Sequence, residues 1–242
     1  MGFSIAEILL MLPQRVIKYI ADLLPLNCEL CGLELDDQHN GFCFACRNTF
    51  LPTPRCQRCG LPCVTETPIC GECLVLPPSW RRLYCVGDYQ QPLSTYVHHL
   101  KYEGQFWHTS KLVDLLIPNI DTPAEVVTSV PLHWRRQWSR GFNQSELLAT
   151  SLAKQLGCDY RPMFRRIRST KQQKGLNRRE RQVNLNGAFK LLKEENSYRH
   201  VAIVDDVVTT GSTVQHLCKL LLDSGVESVD IYCICRTPDV VS

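Results

Sequence analysis

The segment 201–213 (VAIVDDVVTTGST) combines carboxylates, hydroxyls and a glycine in an order that suits a phosphorylated sugar. Its four apolar residues predict a buried strand, and Asp205 and Asp206 follow at the carboxyl end. In the loop that leads into the next helix, Gly211 permits a tight turn, so that backbone N–H groups, hydroxyls and the helix dipole can surround a phosphate. The hydroxyls belong to Thr209, Thr210, Ser212 and Thr213. The aspartates are then placed to accept hydrogen bonds from ribose hydroxyls, and the predicted ligand is a ribose 5-phosphate.

This segment has two other interpretations. A strand that ends in Asp-Asp-x-x-Thr-Thr-Gly could be an ordinary turn followed by a capped helix. A nucleoside-triphosphate P-loop is excluded, because the chain contains no Gly-Lys-Ser or Gly-Lys-Thr sequence. The length of the pattern favours the sugar-phosphate site.

Cysteines form the second chemical pattern, since the chain of 242 residues holds 14 of them. Eight lie in four Cys-x-x-Cys pairs, which are Cys28/Cys31, Cys43/Cys46, Cys56/Cys59 and Cys70/Cys73. The segment also repeats itself: CELCGLELDDQHNGFCFAC is followed by CQRCGLPCVTETPICGEC. Two such turns aim four sulfurs at one point and make a tetrahedral cage for Zn²⁺. We therefore expect two zinc ribbons with two structural zinc ions, each with four protein ligands and no open position for a substrate.

The four Cys-x-x-Cys pairs have alternative interpretations. Disulfides would be expected in a secreted protein, and an iron–sulfur cluster also accepts four thiolates, but the tandem spacing is more typical of zinc ribbons. A sequential arrangement puts the first two pairs on one ion and the last two on the other, and a crossed arrangement stays open. Cys63 lies off the pattern and is expected to be a spare thiol. The other cysteines, at 85, 158, 218, 233 and 235, are expected to be core thiols.

Charge is concentrated in one part of the chain. Residues 130–181 carry 13 Lys or Arg against three acids, a net charge of +10, while the whole chain has +3 and the remainder therefore −7. This block indicates an anionic ligand, either small-molecule phosphates or nucleic acid, although a solvated basic face is the plainer interpretation. Trp134 and Trp138 lie inside it and could stack on bases of single-stranded DNA or pack on the domain body.

The remaining patterns indicate three parts. Residues 1–25 have helical apolar spacing and predict an amphipathic helix, 26–78 hold the double zinc ribbon, and 79–242 alternate strand and helix. Strands are expected near 83–86, 126–130, 185–191, 201–204 and 229–235, with helices at 145–155 and 213–222. This alternation predicts an α/β fold with a mostly parallel, Rossmann-like sheet. Charged residues and Pro13 interrupt the apolar start, so no membrane span is expected, and in the absence of a signal sequence we expect a cytoplasmic protein.

The segment 201–213 resembles the loop of type I phosphoribosyltransferases at all thirteen positions. Together with the double ribbon, the chain from about residue 26 to 238 resembles the ComF family of competence proteins. The resemblance also rests on YVHHLKYEG at 96–104, on 130–132 with 140–144, and on 173–176, 178–181, 184 and 188–189.

The resemblance implies that the site binds 5-phosphoribosyl 1-diphosphate (PRPP) with Mg²⁺. Asp205 and Asp206 would then be the catalytic residues that orient the ribose. A loop at 131–141 would hold the diphosphate, with Arg135, Arg136 and Arg140 as donors, and 165–181 would form a mobile hood. The developing charge on the departing diphosphate would be stabilised electrostatically.

Three functions follow from these expectations. The first is a competence protein for DNA uptake and natural transformation, which binds PRPP, single-stranded DNA and other proteins of the competence machinery. The second is a phosphoribosyltransferase that acts on a small molecule or on DNA. The third is a PRPP-sensing regulator without turnover. The sequence specifies the ligand better than the reaction.

Overall fold

The protein is described by a computed structural model that covers residues 27–35, 41–50, 53–132, 138, 140–168, 187–192 and 198–237. The predicted amino-terminal helix at 1–25 lies outside these residues. So do Trp134, Arg135, Arg136 and most of the candidate hood at 165–181. The chain divides into two compact units, Met1–Thr49 and Phe50–Ser242.

The two zinc ribbons share one local design, which follows from their repeated sequence. In the first ribbon, Cys28 N–H donates to Leu33 O at 2.7 Å, and Gly32 N–H donates to Cys28 O at 2.8 Å. The second ribbon repeats both bonds at positions 28 residues further along the chain, at 2.9 and 2.8 Å. The second Cys pair of each ribbon opens a short helix, α1 at Phe44–Arg47 and α2 at Gly71–Val75.

A five-stranded parallel sheet forms the centre of the second unit. Its strands are β1 (Arg82–Asp88), β2 (Val126–Ser129), β3 (Asp159–Tyr160), β6 (His200–Val208) and β7 (Ser228–Arg236). They lie in the order β1-β7-β6-β2-β3, and every neighbouring pair is parallel. A separate antiparallel pair consists of β4 (Phe164–Arg166) and β5 (Phe189–Leu191). All five parallel strands therefore end at the same edge of the sheet.

Helices connect these strands. They are α3 (Leu93–His98), which continues as a π-helical turn at His99–Glu103, α4 (His108–Leu116), α5 (Gln144–Leu156) and α6 (Ser212–Asp223). The side chain of Asn143 caps α5 by accepting from Ser145 N–H at 3.1 Å, and Gly157, at φ +70°, ends the helix. Gly211, which has φ +73°, is the N-cap residue of α6.

Both faces of the sheet are buried. Val201 and Ile203 of β6 lie in one apolar cluster with Val214 and Leu217 of α6. The intervening Ala202 is also fully buried, and since successive strand residues point to opposite faces, the second face is covered as well. Helix α4 contacts β1 and β7, and helix α5 contacts β2, β3 and β6. The observed architecture confirms the predicted α/β fold with a mostly parallel sheet.

The amino-acid sequence alone predicts the strands that carry the site. It predicts strands at 126–130, 201–204 and 229–235, and β2, β6 and β7 lie there. The segment 96–100 is apolar without a clear period, and it is helical. Within the part of the chain that the structure describes, no helix has the length and apolarity to cross a membrane.

Candidate functional site

The cysteine pairs converge into two tetrads, and both follow the sequential arrangement. One consists of Cys28, Cys31, Cys43 and Cys46, and the other of Cys56, Cys59, Cys70 and Cys73. In each tetrad all ligand atoms lie within 4.8 Å of one another. The spare thiol predicted at Cys63 belongs to neither group.

The sulfur spacing fits zinc. The Sγ atoms of Cys31 and Cys43 are 3.7 Å apart, and those of Cys59 and Cys70 are 3.6 Å apart. A tetrahedron with Zn–S bonds of ~2.3 Å has edges of roughly 3.8 Å, whereas a disulfide needs ~2.05 Å. The two tetrads therefore fit two structural zinc ions. All four positions on each ion would be taken by protein, so zinc would supply scaffolding here and no catalysis.

Hydrogen bonds from backbone N–H groups stabilise the thiolate form of Cys56. Burial raises its pKa, but hydrogen bonds from the backbone of Cys59, Cys70 and Arg58 outweigh that effect, and the pKa is lowered. The N–H of Cys70 donates to Cys56 Sγ at 3.2 Å. At the first ribbon Cys28 has its pKa lowered to about 6 by the same balance. Each tetrad thus has one sulfur that ionises readily.

A cavity of about 270 Å³ opens at the carboxyl ends of β2 and β6. It is lined by the predicted site residues Asp205, Asp206, Thr209, Thr210, Gly211, Ser212, Thr213 and Arg140, whereas the other predicted donors, Arg135 and Arg136, lie outside the described residues. The cavity is also lined by Lys101, Tyr102 and Ser145, to which the sequence assigns no role in the site, and by Arg166 from the candidate hood. Strand β6 brings the aspartates to this edge, and the start of α6 brings the loop.

The two aspartates have different surroundings. Asp205 Oδ1 accepts from Ser145 Oγ at 3.0 Å and from Asp206 N–H at 2.9 Å. Burial, followed by the charge of Asp206, raises the pKa of Asp205 to about 7. Asp206 is 3% exposed, and its Oδ1 lies 3.0 Å from Lys101 Nζ. Its Oδ2 is buried and has no hydrogen-bond partner among the described residues, whereas Asp205 is partly exposed where it lines the cavity.

The residues 209–213, which we call the phosphate loop, are held in shape by their own side chains. Thr210 Oγ1 and Ser212 Oγ lie 2.9 Å apart, and Gln215 N–H donates to Gly211 O at 2.8 Å. A Cβ at Gly211 would lie 2.9 Å from the ring of Trp80, and its φ of +73° favours glycine. Only glycine therefore fits at the turn of the loop. Because no side chain projects there, the backbone N–H groups lie close to the cavity.

Two basic side chains that line the cavity, Lys101 and Arg140, bring positive charge to it. Burial lowers the pKa of Lys101, but the charge of Asp206 and the hydrogen bond to it outweigh this effect, and the pKa is raised. Lys101 therefore stays a cation against Asp206. Arg140 lies over the ring of Tyr102 at 5.0 Å and donates to Gln144 Oε1 at 3.3 Å. Trp138, two residues before it, is 84% exposed, so its ring does not pack in the core.

Fold and site together define a class of protein: a double zinc ribbon joined to a phosphoribosyltransferase domain. Comparison with protein families agrees, since the phosphoribosyl transferase domain matches residues 143–240 and the double zinc ribbon domain matches residues 20–74.

Comparison with individual proteins specifies the family. The DNA utilization protein YhgH of Escherichia coli (strain K12) is 42% identical over 224 residues, which span 88% of this chain and 98% of the relative. Competence protein F of Haemophilus influenzae is 36% identical over 221 residues, covering 87% and 96%. Competence protein ComFC of Streptococcus pneumoniae is 25% identical over 210 residues, covering 86% and 87%. The chain belongs to this family of competence protein F and YhgH, and the resemblance to ComF is confirmed.

Proposed function

We propose that the cavity binds the ribose 5-phosphate group of PRPP, and that the protein acts in the use of DNA taken up by the cell. The single observation that carries the ligand assignment is the shared cavity, in which the phosphate loop and both aspartates face one space of about 270 Å³. The biological role is supported by the names of the relatives, a DNA utilization protein and a competence protein.

The phosphate of the ligand would lie in the phosphate loop. Here the amino terminus of α6 supplies backbone N–H groups and the positive end of its dipole, and Thr210 and Ser212 supply hydroxyls. The ribose would extend toward β6, where the partly exposed carboxylate of Asp205 lines the cavity. Hydrogen bonds to charged groups are stronger than neutral ones, so a ribose hydroxyl at this point would stabilise the complex.

The diphosphate of PRPP would face Lys101, Arg140 and Arg166, which line the same cavity. Mg²⁺ prefers oxygen ligands and keeps several waters, so the partly exposed carboxylate of Asp205 and the diphosphate of PRPP fit it. When bound, Mg²⁺ would neutralise charge on the diphosphate. The protein's own contribution would be to orient the ribose and to hold the phosphate in place.

Calorimetric titration with PRPP and Mg²⁺ tests the proposal. Arg140→Gln should weaken PRPP binding by about tenfold, because a charge-assisted hydrogen bond is worth roughly 1.5–3 kcal/mol, and should affect ribose 5-phosphate less. Lys154→Gln, at an exposed position late in α5, is the control for general charge loss. No binding of PRPP by the unaltered protein would contradict the proposal.

Single-stranded DNA is the proposed second ligand. Trp138 is 84% exposed beside Arg140, and Trp107 is 60% exposed. Exposed aromatic rings next to cations can stack on successive bases, and phosphate contacts make such binding weaken steeply with salt. Fluorescence anisotropy with a labelled oligonucleotide, over a range of roughly 50 to 200 mM salt, tests this. Trp138→Ala should weaken binding by roughly 1–3 kcal/mol, and absence of binding at low salt would exclude direct contact.

Catalytic turnover of PRPP is a separate proposal, because an enzyme and a PRPP sensor would bind PRPP with the same residues. Diphosphate release from PRPP and Mg²⁺, followed against a panel of bases, amines and DNA, distinguishes the two. Release that depends on an acceptor and is lost in Asp205→Asn would support the enzyme, whereas tight PRPP binding with no release would support the sensor.

A further inference from the structure

The second zinc ribbon is joined to the phosphate loop by two buried side chains, Arg236 and Trp80. Both belong to the same compact unit as the second tetrad, and Arg236 is 5% exposed while Trp80 is 4% exposed. We call the turn at 56–60, which carries the first two sulfurs of that tetrad, the second knuckle.

The α/β domain holds the second knuckle by its carbonyl groups. The carbonyls of residues 57, 58 and 59 accept in turn from the N–H of Leu83 at 3.0 Å, the indole Nε1 of Trp80 at 2.6 Å and Nε of Arg236 at 2.9 Å. Three consecutive peptide groups of a metal-binding turn are thus fixed by residues outside the ribbon. Movement of the knuckle would break these bonds in buried surroundings, where unpaired polar groups are expensive.

The same two side chains hold the phosphate loop. Arg236 Nη1 donates to the carbonyls of Thr209 and Thr237, and it lies 3.3 Å from Val208 O. A guanidinium is a rigid planar fork, so the Cys59 and Thr209 carbonyls are fixed relative to each other by one flat group. The ring of Trp80 lies where a Cβ of Gly211 would be, 2.9 Å away.

We propose that metal binding at the second tetrad and sugar-phosphate binding at the phosphate loop are thermodynamically coupled through Arg236 and Trp80, which act as positioning residues. With zinc bound, the knuckle is fixed, and both side chains hold the loop in its phosphate-binding shape. Coupling is reciprocal, so a ligand in the loop must also strengthen zinc binding at the second tetrad. The ligand half of this inference rests on the proposed function, and the contact between metal site and loop does not.

The first experiment needs no ligand. Hydrogen exchange of the amides at 209–213 is measured in the full chain and in Cys70→Ser, which removes one sulfur of the second tetrad. Exchange in the loop should rise at least about fivefold, a change at the low end of typical coupling, while the amides of α5 stay unchanged. Loop exchange that does not rise, or that rises only in step with α5, overturns the coupling.

The second experiment measures zinc release to a chromophoric chelator, with and without saturating ribose 5-phosphate. This probe is a monophosphate and competes for zinc less than PRPP would. Cys70→Ser identifies the kinetic phase that belongs to the second tetrad. Ribose 5-phosphate should slow that phase about fivefold in the unaltered chain. A ligand that binds by calorimetry but leaves release unchanged overturns the coupling.

Variants of Trp80 and Arg236 test whether these two side chains carry the coupling. Trp80→Phe removes both the donor to the knuckle and the end of the indole that lies beside Gly211, so it tests the link even if Arg236→Gln folds poorly. Both should reduce the slowing by ribose 5-phosphate, whereas Arg199→Gln, an exposed arginine just before β6, should retain it. Full slowing in both variants overturns the assignment. If ribose 5-phosphate does not bind while loop exchange still depends on the tetrad, the proposed function fails, and the link between the metal site and the shape of the loop stands.

Discussion

Asp205 and Asp206 are neighbours in sequence, yet their environments separate their roles. Asp205 is tied to Ser145 and to the backbone, and Asp206 is paired with Lys101 and retains a free oxygen among the described residues. Asp205 is the more exposed of the two and lines the cavity, whereas Asp206 is 3% exposed. We therefore expect Asp205 to make the more direct contact with a ligand, and Asp206 to hold Lys101 and shape the electric field beside the strand end.

The first prediction concerns the raised pKa of Asp205. Its usual value is 3.8, and in the folded protein burial and Asp206 raise it to about 7. Between these values the unfolded chain releases the proton while the folded protein keeps it, so this residue lowers the free energy of unfolding as pH rises from about 4 to 7. Asp205→Asn should remove that decline and be more stable than the unaltered protein at about pH 8, by a few kcal/mol at most.

Urea unfolding at about pH 5.5 and pH 8, on either side of the raised pKa, measures this effect. The control is Asp223→Asn, which changes an exposed aspartate at the end of α6. A pH profile for Asp205→Asn that matches the unaltered protein would contradict the assignment.

Lys101 has no role that the sequence reveals, and the structure places it against Asp206. Lys101→Met should destabilise the protein by roughly 3 kcal/mol, because it leaves a buried carboxylate without its counter-ion. Lys101→Met with Asp206→Asn should recover most of that loss, since the uncompensated charge is gone. Lys219→Met, at an exposed position on α6, should have little effect. Equal losses in the single and double variants, measured by urea unfolding, would show that the ion pair is not the cause.

The phosphate loop is an element whose shape depends on one glycine. Gly211 has φ +73° and faces Trp80, while Gly157 has φ +70° and open space within 4 Å of the point where a Cβ would stand. Gly211→Ala should therefore weaken ribose 5-phosphate binding by about tenfold, which corresponds to the lower part of the roughly 1–3 kcal/mol range for backbone strain. Gly157→Ala has the same strain away from the cavity and should leave affinity unchanged. Calorimetric titration of both variants with ribose 5-phosphate measures the difference, and equal affinities of the two variants would contradict the role of the loop.

The sequence predicts this loop well because all its parts are contiguous. Strand, carboxylates, loop and helix follow one another from 201 to 223, and local pattern is sufficient to recognise them. Lys101, Trp80 and Arg236 cannot be assigned in this way. They lie far apart along the chain, and only the pairing of β1 with β7 and of β7 with β6 brings their elements to the same edge. YVHHLKYEG contributes to the family resemblance, but its spacing gives no sign that Lys101 meets Asp206.

For the chain as a whole, the repeated cysteines predict metal content. Elemental analysis after anaerobic purification should find two zinc ions per chain. Cys70→Ser and Cys43→Ser occupy corresponding positions in the two tetrads, and each should retain about one ion, because a site with three sulfurs is weakened. Cys63→Ser should retain both, since Cys63 lies outside the tetrads. Loss of zinc in Cys63→Ser, or two ions retained in Cys70→Ser, would contradict the ligand sets.

The predicted boundary near residue 78 stays a prediction, and the structure adds a different division. The second ribbon shares a compact unit with the α/β domain, whereas the first ribbon lies in the other unit. Sequence repetition makes the two ribbons look equivalent, but repetition reports only local geometry. The contacts of Trp80 and Arg236 give the second ribbon a relation to the phosphate loop that the repeat does not reveal.

The most direct measurement of the central claim compares ribose 5-phosphate with inorganic phosphate by calorimetry, in the unaltered protein and in Asp205→Asn/Asp206→Asn. Hydrogen bonds from the ribose to charged oxygens are worth roughly 1.5–3 kcal/mol each, so the unaltered protein should prefer ribose 5-phosphate by at least about tenfold. In the double variant that preference should disappear, while inorganic phosphate binds at least as tightly as before. A double variant that still prefers ribose 5-phosphate, or an unaltered protein that binds both ligands equally, would contradict the assignment of the sugar to the aspartates.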